Sequence, residues 1–146
     1  MAGAGKGAES LSGVMIDSRY WAYLSYFNVE RDYFECHEVM EELWLEYGRS
    51  PLLQGLLQAA VGLHHWDNGN RSGAVKLMNA AQEKLSVYAD EVLGLDLARL
   101  RIDLDQSLAA LALRPTDAPF QAFELYIRDE SVRLAAEEWE KADEGC

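Results

Sequence analysis

Basic residues are scarce in this chain: 13 lysines and arginines stand against 25 aspartates and glutamates, a formal net charge of −12 over 146 residues. A surface so acidic repels phosphate backbones and anionic membranes, and the few basic residues are scattered rather than gathered in a patch, so nucleic acid and membrane surfaces are not expected partners. Cysteine occurs twice, at Cys36 and at the final position, Cys146. One helical cysteine and one terminal cysteine make a poor disulfide framework; reduced thiols and a cytoplasmic location follow. Cys36 precedes His37, but adjacent helical residues diverge by about 100°, so the pair does not face itself. Cys36 reads as a small buried hydrophobe.

Long apolar runs are missing too. The longest uncharged stretch, "SPLLQGLLQAAVGLHHW", falls short of the ~20 residues that a membrane span needs and carries two Gln and two His. The opening "MAGAGKGAESLSGV" has no apolar core of a secretory signal. Proline occurs three times, and two of the three fall in "RPTDAPFQAF", which is expected to be irregular.

What remains is 49% hydrophobic and 26% charged, ordinary for a globular protein of one-domain size. The apolar period is helical nearly everywhere after residue 16. "IDSRYWAYLSYFN" predicts a first helix capped by Asp17 or Ser18, and "VERDYFECHEVMEELWLEYG" a second that ends at Gly48. "PLLQGLLQAAVGLHHWDNG" predicts a third, begun by Pro51 and stopped at Gly69. Asn70 caps a fourth, "RSGAVKLMNAAQEKLSVYAD", and the short turn between these two makes them an antiparallel hairpin. "DLARLRIDLDQSLAALAL" predicts a fifth, and "YIRDESVRLAAEEWEKA" a final amphipathic helix. No segment reads as a strand. The expected fold is therefore all-α: a single-domain bundle of five to six helices around a central buried third helix. A flexible segment is expected over residues 1–15, the bundle over 16–114, and a proline-containing linker with the C-terminal helix over 115–146.

The second helix holds the chemistry. On a helical wheel Tyr33, Cys36, Val39, Met40, Leu43, Trp44 and Tyr47 fill one apolar arc. Trp21, Trp44 and Trp66 read as core rather than as a ligand platform. His37 borders the arc beside Trp44, Glu41 lies one turn further, and Glu38 continues a strip that also holds Phe34 and Leu45. Those two apolar residues predict that the strip is partly covered. The third helix is apolar almost all round, but Gln54, Gln58 and His65 fall within about 40° of each other. Gly55 and Gly62 lie beside that stripe. Helical glycine costs about 0.5–1 kcal/mol against alanine, so the two predict a closely approaching backbone, here assigned to helix two. On this geometry His37, Glu38 and Glu41 face Gln54, Gln58 and His65 and look inward. His64 falls outside the stripe.

Two chemistries suit the cluster. It is either a network that fixes helix register or binds a small ligand, or a divalent-metal or acid/base site. In the second case the protein is a metal-dependent enzyme, a hydrolase for example, using His37, Glu38, Glu41 and His65, with His37, Glu41 and His65 as metal ligands. "HEVME" is not a zincin motif, because Glu41 stands where the second histidine would be, and paired Glu-x-x-His motifs are absent. A third class is a protein-interaction module built on the hairpin and the acidic exterior. Cofactor, partner and oligomeric state are not readable from these residues.

"FNVERDYFECHEVMEELW" followed by "QGLLQAAVGLHHWDNGNRSGA" resembles the domain of unknown function 309 family. The shared features are an F-N start, a Y-F-E-x-H-E-x-x-E-x-x-W run, a Q-G-L-x-Q helix with a following histidine, and G-N-x-x-G-A. The resemblance covers about residues 23 to 85. It implies a small all-α bundle, cytoplasmic and prokaryotic in kind, and maps the family's motif onto Phe34, Glu35, His37, Glu38, Glu41, Trp44, Gln54, Gly55, Gln58 and His65. It brings no reaction, ligand or cofactor.

Overall fold

Caps written into the chain set most of the helix boundaries. The computed structural model describes residues 11–113 and 118–144. Six α-helices run through them: α1 (Ser18–Ser25), α2 (Tyr33–Glu46), α3 (Pro51–Asp67), α4 (Arg71–Leu85), α5 (Leu97–Leu113) and α6 (Glu130–Glu144). Asp17 Oδ1 accepts from the amide of Arg19 at 2.9 Å, and Ser50 Oγ from that of Leu52 at 3.2 Å. Asn70 Oδ1 accepts from the amide of Gly73 at 3.0 Å. Each satisfies an amide that the first helical turn leaves without an intrahelical partner. Past the C-termini of α2 and α3, Gly48 and Gly69 take φ of 82° and 80°, where a side chain would be strained.

Two expectations are corrected. The second helix does not begin at Val29. Residues Tyr26–Glu30 form a π-helical turn that extends α1, Arg31 turns the chain at φ 55°, and Asp32 caps α2 by accepting from the amide of Glu35 at 3.1 Å. There is also a small strand pair, β1 (Glu91–Val92) against β2 (Leu95–Asp96), antiparallel. Leu93 and Gly94 turn it with φ of 55° and 77°, both positive as the tightest hairpins require.

Helix α3 is the centre of the core. Leu52, Leu53, Leu56, Ala59, Ala60 and Leu63 are all fully buried. The glycines of α3 do mark a close approach, but by α4 rather than α2. A Cβ on Gly55 would stand 2.8 Å from Leu85 Cδ2, and one on Gly62 2.7 Å from Met78 Cγ. Further along the same antiparallel register, a Cβ on Gly73 would stand 3.0 Å from the ring of His65. The short turn lets α4 lie tightly along α3.

Helix α1 is tied by one tyrosine to α3 and by another to the β1–β2 turn. Tyr23 Oη donates to the carbonyl of Leu56 and Tyr20 Oη to that of Leu93, both at 2.7 Å. A buried phenol needs such a partner, and burial pushes both hydroxyls far above their usual pKa. Residues 118–129 then run without helix across the bundle. Asn28 grips them like a strand edge, donating to the carbonyl of Leu125 and accepting from its amide, both at 2.8 Å. Trp66 Nε1 donates to the carbonyl of Ala118 at 3.1 Å. Helix α6 returns onto α1, with Trp139 edge-on to Tyr26 at 5.3 Å.

Of the segment expected to be flexible, residues 1–10 lie outside the described residues. Ser12–Ile16 form a 3-10 turn that buries Val14. Of the proline-containing connection, residues 114–117 lie outside as well. Among the described residues no helix is long and apolar enough to cross a membrane.

Candidate functional site

Tyr33, Cys36, Met40 and Leu43 turn the buried side of α2 into the core. The 100° step then sets His37, Glu41 and Trp44 along the flank that faces α3. On α3, Gln54 and Gln58 are one turn apart, as are Leu57 and Val61. These residues, with Leu77 of α4, line a cleft of about 300 Å³. The structure thus gathers four of the six expected polar residues, His37, Glu41, Gln54 and Gln58, at one place.

The other two stand apart. Glu38 is not a lining residue and meets the group only through His37, whose Nδ1 lies 3.4 Å from its Oε2. His65 belongs to the α3–α4 turn: its Nδ1 is 3.3 Å from Asn70 Nδ2, and its ring abuts Gly73. In that pairing His65 accepts, which requires the tautomer protonated at Nε2. His64 faces the ring of Phe34, 6.3 Å between centroids.

The cluster is also more open than expected. The side chains of His37, Glu38 and Glu41 are 36%, 50% and 47% exposed, so they border the cleft instead of filling the interior. His37 Nε2 lies 3.9 Å from Glu41 Oε1, too far for a hydrogen bond. His37 is therefore flanked by a carboxylate at each ring nitrogen without being pinned by either.

Two polar atoms of the lining residues are in the opposite condition, closed off beneath the cleft surface. Trp44 Nε1 and Gln58 Oε1 are both buried, and neither has a hydrogen-bond partner among the described residues. A buried polar atom left unpaired costs about 1–3 kcal/mol, so a donor and an acceptor in this state at one cleft call for an explanation. Tyr33 Oη and Asp103 Oδ2 are in the same state away from the cleft, although Asp103 Oδ2 has the guanidinium of Arg99 at 3.3 Å. The indole of Trp44 is further fixed by Arg49, whose guanidinium carbon stands 5.2 Å from the ring centroid.

A catalytic zinc site keeps three protein ligands. The cleft offers one imidazole and one carboxylate, and among the described residues no group of three or more His, Cys, Asp or Glu is placed to hold a metal ion. Cys36 is fully buried, with Sγ 3.6 Å from the carbonyl of Tyr23, and burial pushes its thiol far up. It is core, not a nucleophile.

Sequence reasoning placed Trp44 in the family motif and read its spacing as core, against which it does pack, but did not single out the walls Leu57, Val61 and Leu77. An indole at the edge of an apolar arc, with an N–H that burial would leave in need of a partner, was the available signal for Trp44. No sequence signal points to Leu77.

Comparison with known proteins places this region in a family. The model of a domain of unknown function (DUF309) matches residues 20–77, a span that contains every residue lining the cleft. The uncharacterized protein YpuF of Bacillus subtilis (strain 168) is 37% identical over 126 residues, covering 83% of this chain and 71% of that protein. An uncharacterized protein of Aquifex aeolicus (strain VF5) is 26% identical over 80 residues, covering 53% of this chain and 24% of that protein.

Proposed function

We propose that this chain, which belongs to the family of the domain of unknown function DUF309, binds a small polar molecule of the amide class in the α2–α3 cleft. The observation that carries the reading is the pair of buried, unpaired atoms of opposite sense, Trp44 Nε1 as donor and Gln58 Oε1 as acceptor. A carboxamide supplies both complements once the covering side chains shift to admit it: its carbonyl then accepts from the indole and its N–H donates to Gln58. Leu57, Val61 and Leu77 give its apolar body a wall. A volume near 300 Å³ sits at the small end of ligand pockets. His37 and Glu41, half exposed at the same cleft, are placed to bond a polar substituent. The acidic charge and the buried, unreactive Cys36 suit a cytoplasmic small-molecule binder rather than a nucleic-acid protein.

Benzamide is the simplest probe, and titration calorimetry is the test. The wild type is expected to bind it saturably, to bind methyl benzoate at least tenfold more weakly for want of an N–H, and to lose benzamide on Gln58→Met. No heat of binding at millimolar benzamide contradicts the reading. A metal-dependent enzyme would show itself differently. Micromolar Zn²⁺ or Mn²⁺ would raise the wild-type denaturation midpoint by mass action and leave that of His37→Ala unmoved.

A further inference from the structure

A larger pocket, about 420 Å³, lies between α1, the π-helical turn, residues 124–127 and α6. It shares no residue with the cleft. Its apolar lining includes Leu24, Leu125 and Ala136, all buried. Beside this apolar lining stands Ser25, only 3% exposed, whose Oγ donates to Glu140 Oε1. A hydroxyl so placed holds the partly buried Glu140 carboxylate at the edge of an apolar wall. Ser25 supplies one donor, and a carboxylate accepts about four.

The cations at this pocket stand in a different position. Arg133 is engaged by Glu130 at 3.4 Å and by Glu137 at 3.1 Å, and Lys141 is solvent-exposed. Glu124 has Arg31 at 3.8 Å and Glu137 has Arg133 at 3.1 Å, so Glu140 is the one lining carboxylate with no basic partner among the described residues. Exposed Val29 and Tyr126 extend its apolar surface outward.

We propose that this pocket is a second binding site, for a small primary amine, with the ammonium on Glu140 and the apolar body over Leu24, Leu125 and Ala136. The cation supplies what the half-buried carboxylate lacks, and the hydrocarbon covers surface that the fold leaves open. Nine of the thirteen lining residues, from Glu124 onward, lie outside the segment matched by the family model, and Leu24, Ser25, Asn28 and Val29 lie within it. The site thus joins the matched core to the C-terminal segment, and it gives α6 a role.

The experiment is calorimetric titration of the full chain with 2-phenylethylamine, 2-phenylethanol and 3-phenylpropionate. In the wild type the amine is expected to bind at least tenfold more tightly than the alcohol, and the carboxylate most weakly. Glu140→Gln keeps the shape and removes the charge; it should reduce amine affinity at least tenfold and leave that of the alcohol unchanged. Gln58→Met, in the other cleft, should leave the amine unaffected. The proposal is overturned by an amine that binds no better than the alcohol, by tighter binding of the carboxylate, or by Glu140→Gln binding the amine as the wild type does. The wild-type ranking decides the matter even where a variant fails to fold.

Discussion

Trp44 on α2 and Gln58 on α3 line the same cleft, and each holds a polar atom, the indole N–H and the amide carbonyl, that is buried and unpaired within the described protein. In a core built for stability alone, such groups are paired or replaced by hydrocarbon. Their state fits a surface completed by a ligand, and the free protein carries the cost of keeping it ready. Stability and binding should therefore respond in opposite directions to changes at these two positions.

The α3–α4 contact offers a test of packing. Alanine at Gly62 would add about 0.5–1 kcal/mol of helix preference. Its Cβ would also stand 2.7 Å from Met78 Cγ and 3.5 Å from the Met78 amide, and overpacking costs about 1–3 kcal/mol. Gly62→Ala is expected to destabilise by on the order of 1 kcal/mol. In a Met78→Ala background the same change should become stabilising. Urea midpoints of the four proteins measure the coupling; a Gly62→Ala protein more stable than the wild type would show that the helices have room to spare.

Much of this was legible in the sequence, for identifiable reasons. The helices follow from apolar periodicity, and the burial of α3 from its being apolar nearly all round. The meeting of His37 and Glu41 with Gln54 and Gln58 rests, in the sequence, on the two polar stripes and on glycines assigned to face helix two; the stripes carry it, since the glycines face α4. His65 shares that angle but lies seven residues beyond Gln58, about 10 Å further along the axis, and a helical wheel discards axial distance. The glycines signalled a close neighbour without naming it; the neighbour is α4. Asp32 with Glu35 three residues later was a visible start signal for α2, overlooked because the apolar period ran on through Val29. The strand pair is two residues long on each side and turns through Leu-Gly, so it left too little pattern to read.

His65 separates the turn from the cleft. Its contacts are with Asn70 and Gly73, so His65→Ala is expected to cost about 1 kcal/mol of stability while benzamide affinity stays within twofold. His37→Ala should do the reverse, changing affinity with little effect on stability. Calorimetry and urea denaturation on both variants check this, and loss of benzamide binding in His65→Ala would place His65 back in the site.

Acid should weaken the start of α1. The Arg19 guanidinium, bonded to Asp17 at 2.8 and 3.0 Å, holds the Asp17 carboxyl below the usual range, against the opposite pull of its burial. A carboxyl lowered in the folded state stabilises fully above about pH 4 and loses that contribution as pH falls through the folded value. Asp17→Asn should thus be less stable than the wild type by about 1 kcal/mol at pH 7, and the gap should close toward pH 2. A gap that is constant across this range would assign the loss to something other than the ion pair.

The most direct test of the central claim is the urea midpoint of Gln58→Met, which keeps the length of the side chain and removes its amide. Gln58 Oε1 is unpaired in the described protein, so its removal relieves a buried unsatisfied acceptor, and the midpoint should stay level or rise. If the glutamine instead belongs to a satisfied network, removing it strands its partners, and stability should fall by about 1–3 kcal/mol. A fall of that size would contradict the reading of the cleft as a binding site held open for a ligand.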